Sequence, residues 1–191
     1  FLKNHTIKKT SELKSTHTRI GDKTHNIYGG SFHIPNDKLQ LFYQLYYDEV
    51  IKGDSREYLT EKQQNGDGAL IYVDLDFRYD IENGKRYHNK DWIDELKDIY
   101  IENIKKIYKF NGESFNIYIM ERYSGYAESS KNIYKDGIHI IFDIPMNHQL
   151  QLYLRDKIIK SEDTIELLSK LPLQNSIEDV FDIGLSKGST N

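Results

Sequence analysis

Two aspartates one residue apart, Asp74 and Asp76, end an apolar run of strand-forming residues that begins at Ala69. In a β-strand, residues i and i+2 point to the same face, so the two carboxylates share a side with Cα atoms about 6.6 Å apart. Two like charges there are costly unless a positive group lies between them. Carboxylate oxygens bind Mg²⁺ and Mn²⁺ readily. A bare pair of this kind is more often solvated, but the preceding apolar run and the downstream residues favour a metal site.

A second group of chemically active residues lies in the segment from Lys135 to Phe142, where His139 stands among apolar residues. Gly137 precedes the histidine by two positions and permits the close approach of a ligand or of another backbone. An imidazole can donate to a phosphate oxygen, and the ammonium group of Lys135 adds positive charge. A lone histidine on a strand is more often structural, but this combination predicts a triphosphate-binding site.

A third acid is expected if the site holds two metal ions. In two-metal phosphoryl transfer the ions lie roughly 3.5–4 Å apart, and three carboxylates hold such a pair better than two. Asp182 is the first candidate because it lies between Phe181 and Ile183, as a strand residue pointing out of the core does. Asp179 is the second candidate and Glu178 a weaker third.

Several strands and helices must position these residues. Near the amino terminus we expect a hairpin or short strand around Gly29 and Gly30, then a helix opened by Pro35 and capped by Asn36 or Asp37. We further expect a short helix at 54–62, a turn at 65–68, strands at 69–75, 115–120 and 137–144, a polar loop at 77–90, helices at 91–110, 147–160 and 162–170, and a strand or turn at 177–183.

The order strand, helix, strand, strand, helix predicts an α+β fold with a split βαβ sheet and helices on one face. In that topology the first and third strands are neighbours, so Asp74 and Asp76 lie beside Gly137 and His139. We predict two domains: residues 1–66 as an amino-terminal arm and small α/β unit, and residues 67–191 as the catalytic core.

Composition narrows the class of protein. The 191 residues include 26 basic and 30 acidic side chains, a net charge of −4, which is unusual for a protein that only coats nucleic acid. There is no cysteine, no apolar run long enough to span a membrane and no signal-peptide pattern. The chain begins with Phe1, and we interpret it as a fragment of a longer protein that is not secreted.

The ordered set Asp74-x-Asp76, Gly137-x-His139 and Phe181-Asp182 resembles the three motifs of archaeo-eukaryotic primases. The residues around these motifs are similar to the primase domain of the primase–helicase proteins of large nucleocytoplasmic DNA viruses. That similarity is carried by residues 16–19, 27–30, 57–61, 73–79 and 135–142, and it spans about residue 16 to the end of the chain.

The resemblance implies an RRM-like catalytic sheet joined to an amino-terminal α/β unit. It implies that Asp74, Asp76 and Asp182 are catalytic and bind Mg²⁺ or Mn²⁺, and that His139, Lys135, Gly137 and Arg78 bind the nucleotide. The implied activity is primer synthesis or extension on single-stranded DNA from nucleoside triphosphates during DNA replication. The implied partner is a carboxy-terminal helicase domain in the same chain, and the implied location is the cytoplasm or nucleus of an infected host cell.

Three other functions stay open from the sequence. A glycosyltransferase also uses an Asp-x-Asp pair to hold Mn²⁺, but residues 1–66 offer no convincing nucleotide-binding half before it. A rolling-circle nickase shares the split βαβ sheet but needs paired histidines on one strand, where this chain has only His139. A non-catalytic RRM-like module would present aromatic and basic residues to bases, although Asp74 and Asp76 would repel phosphate.

Overall fold

The computed structural model describes residues 1–8, 10–62, 69–109 and 114–183. The chain divides into two compact units, one within Phe1–Gln64 and the other within Asn65–Ser189. Both contain antiparallel strands and helices, so the predicted α+β class is confirmed. The predicted domain boundary after residue 66 and the predicted turn at 65–68 lie outside the described residues.

The first unit is a three-stranded antiparallel sheet with one main helix. Its strands β1 (His17–Arg19), β2 (Gly30–Phe32) and β3 (Leu59–Glu61) lie in the order β2-β1-β3. Helix α1 (Asn36–Tyr46) follows β2 and continues into a π-helical turn at Tyr47–Ile51, and short 3-10 helices cover Leu2–His5 and Lys23–His25.

Two local predictions in this unit are wrong. The helix predicted at 54–62 is replaced by β3, because the backbone of Leu59–Glu61 pairs with His17–Arg19 and this tertiary pairing outweighs local preference. Neither Asn36 nor Asp37 caps α1. The N-cap position is Pro35, which makes no side-chain capping bond, so both predicted caps lie inside the helix.

The second unit is built on a sheet of four strands: β4 (Ala69–Asp80), β5 (Ile117–Glu121), β6 (Tyr126–Glu128) and β7 (Ile133–Met146). The central order is β4-β7-β5, and β6 pairs with the start of β7. Since β4 and β5 are both antiparallel to β7, they run parallel to each other on either side of it. This is the predicted split βαβ arrangement, with the first and third long strands as neighbours.

The helices of the second unit are α2 (Lys90–Ile107), α3 (His148–Ile159), α4 (Glu162–Ser169) and the single turn α5 (Ile177–Val180), with 3-10 helices at Ile81–Asn83 and Ser129–Lys131. The four α-helices begin at residues whose side chains accept a backbone N–H of the first turn, which satisfies donors that a helix start leaves free. These caps are Asn89, Asn147, Ser161 and Ser176.

The core lies on one face of this sheet. Alternate residues of β4, from Ile71 to Tyr79, are buried and pack with the apolar stripe of α2 and with residues of α3 and α4. The intervening residues of β4 are only partly buried and lie on the opposite face, which we call the open face. The open face also includes Tyr118 and Met120 of β5 and Lys135, Gly137, His139 and Ile141 of β7.

Several strands and helices of the second unit begin or end at residues other than those predicted. β4 extends past residue 75 through most of the predicted loop, because Phe77 and Tyr79 continue the buried alternation. β7 begins earlier than predicted, so Lys135 is a strand residue. Helix α2 ends at Ile107, and the end predicted at Phe110 lies outside the described residues. The stretch predicted as a final strand or turn forms α5, after which Phe181 bridges to Leu75.

Candidate active site

The pairing of β4 with β7 brings together the residues predicted from the two main motifs. Asp74 lies opposite His139, Asp76 opposite Gly137, and Arg78 opposite Lys135. Residues directly opposite each other in an antiparallel pair share a face of the sheet. All six positions therefore lie on the open face.

Asp74 and His139 form an ion pair across the two strands. Nε2 of His139 lies 3.1 Å from Oδ1 of Asp74, and the His139 side chain is 47% exposed. This hydrogen bond raises the pKa of His139 above its ordinary value, and partial burial opposes the rise. The imidazole therefore retains a proton to higher pH than a free histidine and remains accessible to a ligand.

Asp182 approaches the aspartate pair from the carboxy-terminal segment. Its backbone N–H donates to the carbonyl oxygen of Asp74 at 3.0 Å, and its side chain is exposed. The pKa of Asp76 is raised, first by burial and then by the charges of Asp74 and Asp182. The charges of Asp74 and Asp182 thus both reach the carboxylate of Asp76. Asp179 lies on α5, with its backbone N–H held by Ser176, and it is Asp182 that acts on Asp76.

Two side chains hold the segment that carries Asp182. The side chain of Asn175 bonds to the backbone of β4 as a neighbouring strand would. Its Nδ2 donates to the carbonyl of Asp76 at 2.9 Å, and its Oδ1 accepts a hydrogen bond from the backbone N–H of Arg78 at 3.1 Å. Arg155 of α3 donates from Nε and Nη2 to the carbonyl of Phe181, and from Nη2 to the carbonyl of Glu178 at 2.9 Å. These contacts fix the backbone on both sides of α5.

Basic groups surround the acids. Arg122 and Arg78 both lower the pKa of Asp76 and so partly offset the repulsion from its neighbours. The guanidinium of Arg122 lies over the ring of Tyr126, 5.4 Å from its centroid. Lys135 is paired with Glu128 at 2.6 Å, which raises the pKa of the lysine. Arg122 and Arg78 are therefore the cations that act on the carboxylates, while Lys135 is engaged by Glu128.

The backbone of β4 leaves no room for a side chain at position 137, which explains the glycine there. A Cβ atom at this position would lie 2.7 Å from the carbonyl oxygen of Leu75, closer than real Cβ contacts, and 3.8 Å from Oδ1 of Asp76. Of the two explanations that the sequence left open, the close approach of another backbone is the one seen. Glycine at this position lets β4 and β7 lie close together where Asp76 pairs with Gly137, next to the pair of Asp74 and His139.

The donor chemistry of this face fits a divalent cation. The charges of Asp74 and Asp182 add to burial in raising the pKa of Asp76, which favours a positive charge between the three carboxylates, and Mg²⁺ and Mn²⁺ prefer such oxygen ligands. Within the described residues, however, no three His, Asp or Glu side chains are grouped closely enough to enclose an ion as they stand. Asp74, Asp76 and Asp182 would hold the cation after their side chains turn toward one another.

Comparison with known proteins identifies the family. Residues 21–190 match the family model described as the C962R protein N-terminal AEP domain. This chain belongs to that archaeo-eukaryotic primase (AEP) family. A protein of Acanthamoeba polyphaga mimivirus, provisionally named helicase L207/L206, is 30% identical over 199 aligned positions that cover 96% of this chain. The AEP domain spans 20% of the length of that relative.

The sequence did not reveal the residues that support the site of this AEP domain. Asn175 lies three residues after Pro172, and Arg155 is one of two Lys or Arg residues on α3, so neither has a distinctive pattern. Arg86 is a third example: it pairs with the buried carboxylate of Asp136 through two hydrogen bonds of 2.8 and 3.0 Å. Arg86 also donates to Glu121 and to the carbonyl of Arg122, which fixes the backbone beside the open face.

No helix in the described ranges combines the length and the apolar character required to cross a bilayer.

Proposed function

We propose that this AEP domain catalyses template-directed nucleotidyl transfer, as a DNA primase or primase-polymerase that makes or extends primers on single-stranded DNA during replication. The observation that supports this proposal is the approach of Asp182 to Asp74 and Asp76 on the face that also carries His139. Three acids and a protonatable histidine on one sheet face suit the transfer of a nucleotidyl group from a nucleoside triphosphate.

Asp74, Asp76 and Asp182 would bind Mg²⁺ or Mn²⁺. When bound, the cations would lower the pKa of the attacking hydroxyl and neutralise negative charge on the leaving group. His139, whose pKa is already raised by Asp74, would donate a hydrogen bond from a ring N–H to a phosphate oxygen. Arg122 and Arg78 add positive charge beside the same acids. The 3′-hydroxyl oxygen forms a bond to the α-phosphorus, and pyrophosphate leaves.

Lys135 and Gly137 take different roles in this proposal. Lys135 contacts a phosphate when the ligand competes with Glu128 for its ammonium group. Gly137 contributes by bringing the β4 backbone close to β7 rather than by touching the nucleotide.

The wider assignment follows from the relative. Because the matched mimivirus protein is named as a helicase and this chain covers a fifth of its length, we infer that a helicase domain belongs to the same polypeptide. The primase domain would supply primers on the strand that the helicase exposes. A viral replication site in the infected cell, cytoplasmic or nuclear, would be the place of action.

Primer synthesis on a single-stranded DNA template with Mn²⁺ and nucleoside triphosphates tests this function. The isosteric double variant Asp74→Asn plus Asp76→Asn should lose product, because the acids that bind the cation lose their charge. Asp143→Asn is the matched control, since Asp143 is an exposed carboxylate on β7, the strand that pairs with β4. Mn²⁺ binding measured by calorimetry gives a second readout without catalysis. Unchanged product and unchanged Mn²⁺ binding in the double variant would refute the assignment.

A further inference from the structure

A small aromatic pocket lies in the first unit, bounded by α1 and strands β1 and β3. Its volume is about 260 Å³, and it is lined by His17, Phe42, Tyr43, Tyr46, Leu59 and Glu61. Pockets for drug-sized ligands occupy roughly 300–1,000 Å³. This pocket is therefore sized for a single flat ring system rather than a large ligand.

His17 brings a buried nitrogen without a partner to this pocket. The residue is 2% exposed, and its Nε2 has no hydrogen-bond partner among the described residues. Its Nδ1 lies 2.9 Å from Oγ1 of Thr16, which also accepts the N–H of Ile34 and lies 3.4 Å from the carbonyl of Phe32. All three contacts are satisfied when Thr16 donates to Phe32 and His17 donates from Nδ1. In that arrangement Nε2 is an acceptor that lacks a donor.

Glu61 places a second acceptor beside the first. Its Oε2 lies 3.9 Å from Nε2 of His17, and the hydroxyl of Tyr43 donates to both oxygens of the same carboxylate at 3.3 and 3.1 Å. Burial lowers the pKa of His17, so its imidazole is uncharged at neutral pH. Nε2 of His17 is therefore a buried acceptor without a donor, which is unfavourable, and the carboxylate beside it can accept further hydrogen bonds. A ligand nitrogen that bears two hydrogens can donate to both.

The walls of the pocket are aromatic. The ring centroids of Phe42 and Tyr46 are 5.9 Å apart, and Phe42 packs edge-on against His17 at 4.9 Å. Bases stack on such rings with little dependence on their identity. Residues 1–62 carry ten Lys and Arg against eight Asp and Glu, a net charge of +2, whereas the whole chain carries −4. Flat walls and a positive surrounding unit favour a nucleobase over the ammonium group of a protein partner.

We propose that this pocket binds one unpaired nucleobase with an exocyclic amino group, cytosine or adenine, from a single strand. The amino nitrogen donates to Glu61 and His17, and the ring stacks beside Phe42 and Tyr46. The choice of a nucleic-acid strand as the partner rests on the proposed function. The residues of the pocket all belong to the first unit and include none of the candidate active-site residues.

Fluorescence anisotropy with labelled oligo(dC) and oligo(dT) of equal length tests the proposal, using the full chain in EDTA without nucleotides. Cytosine carries the amino group and thymine does not, so wild type should bind oligo(dC) about fivefold more tightly. Glu61→Gln should remove this preference because the amide nitrogen of glutamine is a donor in place of an accepting carboxylate oxygen. Tyr46→Leu should weaken both complexes, and the exposed control Glu49→Gln should behave as wild type. Thermal unfolding checks that every variant is folded.

Equal affinities for the two oligonucleotides in wild type, or a preference that survives Glu61→Gln, would overturn the proposal. So would the binding of a lysine-containing peptide that depends on Glu61, together with equal oligonucleotide affinities, because that result assigns the pocket to a protein partner. The variant Asp74→Asn plus Asp76→Asn separates this inference from the proposed function. It should lose primer synthesis yet retain the preference for oligo(dC), and a wild-type protein with the preference but no synthesis would refute only the proposed function.

Discussion

Replacing Arg155 with methionine tests whether the segment that carries Asp182 is held in place by the Arg155 side chain rather than by backbone pairing with β4 alone. The guanidinium of Arg155 donates to the carbonyl oxygens of Glu178 and Phe181, which precede Asp182. Methionine keeps the apolar part of the side chain on α3 but removes every donor. The two carbonyls lose these partners, while the pairing between Asp182 and Asp74 is left intact.

The expected loss is local. A hydrogen bond from a charged donor contributes about 1.5–3 kcal/mol net, and the guanidinium is only partly buried, so we assign about 2–3 kcal/mol to the whole set of contacts. Because about 1.4 kcal/mol corresponds to a factor of ten, opening of the segment should become roughly 30- to 150-fold more frequent. Global stability should fall less, since most of the core does not contact this segment.

Amide hydrogen exchange followed by NMR measures this opening at the backbone N–H of Asp182, which is bonded to Asp74. Arg155→Met should accelerate exchange there, whereas Arg155→Lys should have a smaller effect because an ammonium group can still reach one carbonyl. Lys157→Met is the control, an exposed cation on the same helix. Unchanged exchange at Asp182 in Arg155→Met would refute the role assigned to Arg155.

Four further changes test other parts of the second unit. Gly137→Ala should lower the free energy of unfolding in urea by about 1–3 kcal/mol, because the new Cβ would lie 2.7 Å from the carbonyl of Leu75; an unchanged midpoint would contradict this. Arg86→Met should cost about 3–5 kcal/mol by leaving the buried carboxylate of Asp136 without its partner, and adding Asp136→Asn should restore part of the loss. Burial lowers the pKa of His88 below 6.5, so the unfolded state binds a proton at this residue before the folded state does as pH falls. Between pH 7.5 and 5.5, the free energy of unfolding in urea should therefore fall by up to about 1.4 kcal/mol more in wild type than in His88→Gln. Asp182→Asn should lower the raised pKa of Asp76 in a metal-free carboxyl NMR titration, because one repelling charge is removed, and an unchanged pKa would mean that the two groups do not interact.

The sequence predicted the parts of the site that follow from local periodicity. Asp74 and Asp76 differ by two positions on a strand, and so do Gly137 and His139, which fixes the face each pair shares. The split βαβ order then brought the two strands together, and the observed register of Asp74 with His139 agrees with that expectation. The catalytic and metal-binding roles of these residues stay predictions.

The supporting contacts were not predictable because they join distant parts of the chain without a repeating pattern. Arg155 reaches the carbonyl of Phe181, 26 positions away, and Asn175 bonds to the backbone of Asp76, 99 positions away. Strand β3 was misassigned for the same reason, since its three residues become a strand only by pairing with His17–Arg19. Local preference decides little where a short segment has a long-range partner.

The three carboxylates favour the proposed nucleotidyl transfer over a function as a binding module alone. A surface that only stacks bases would present rings such as Tyr118 on β5, and the open face does present that ring beside β7. Asp74, Asp76 and Asp182 also meet at this face, where burial and then the charges of Asp74 and Asp182 raise the pKa of Asp76. Such acids weaken attraction to a phosphate backbone, so a pure binder gains nothing from them. Under the proposed function, a divalent cation would offset their cost and draw a triphosphate to them, so loss of Mn²⁺ binding and loss of synthesis are expected together.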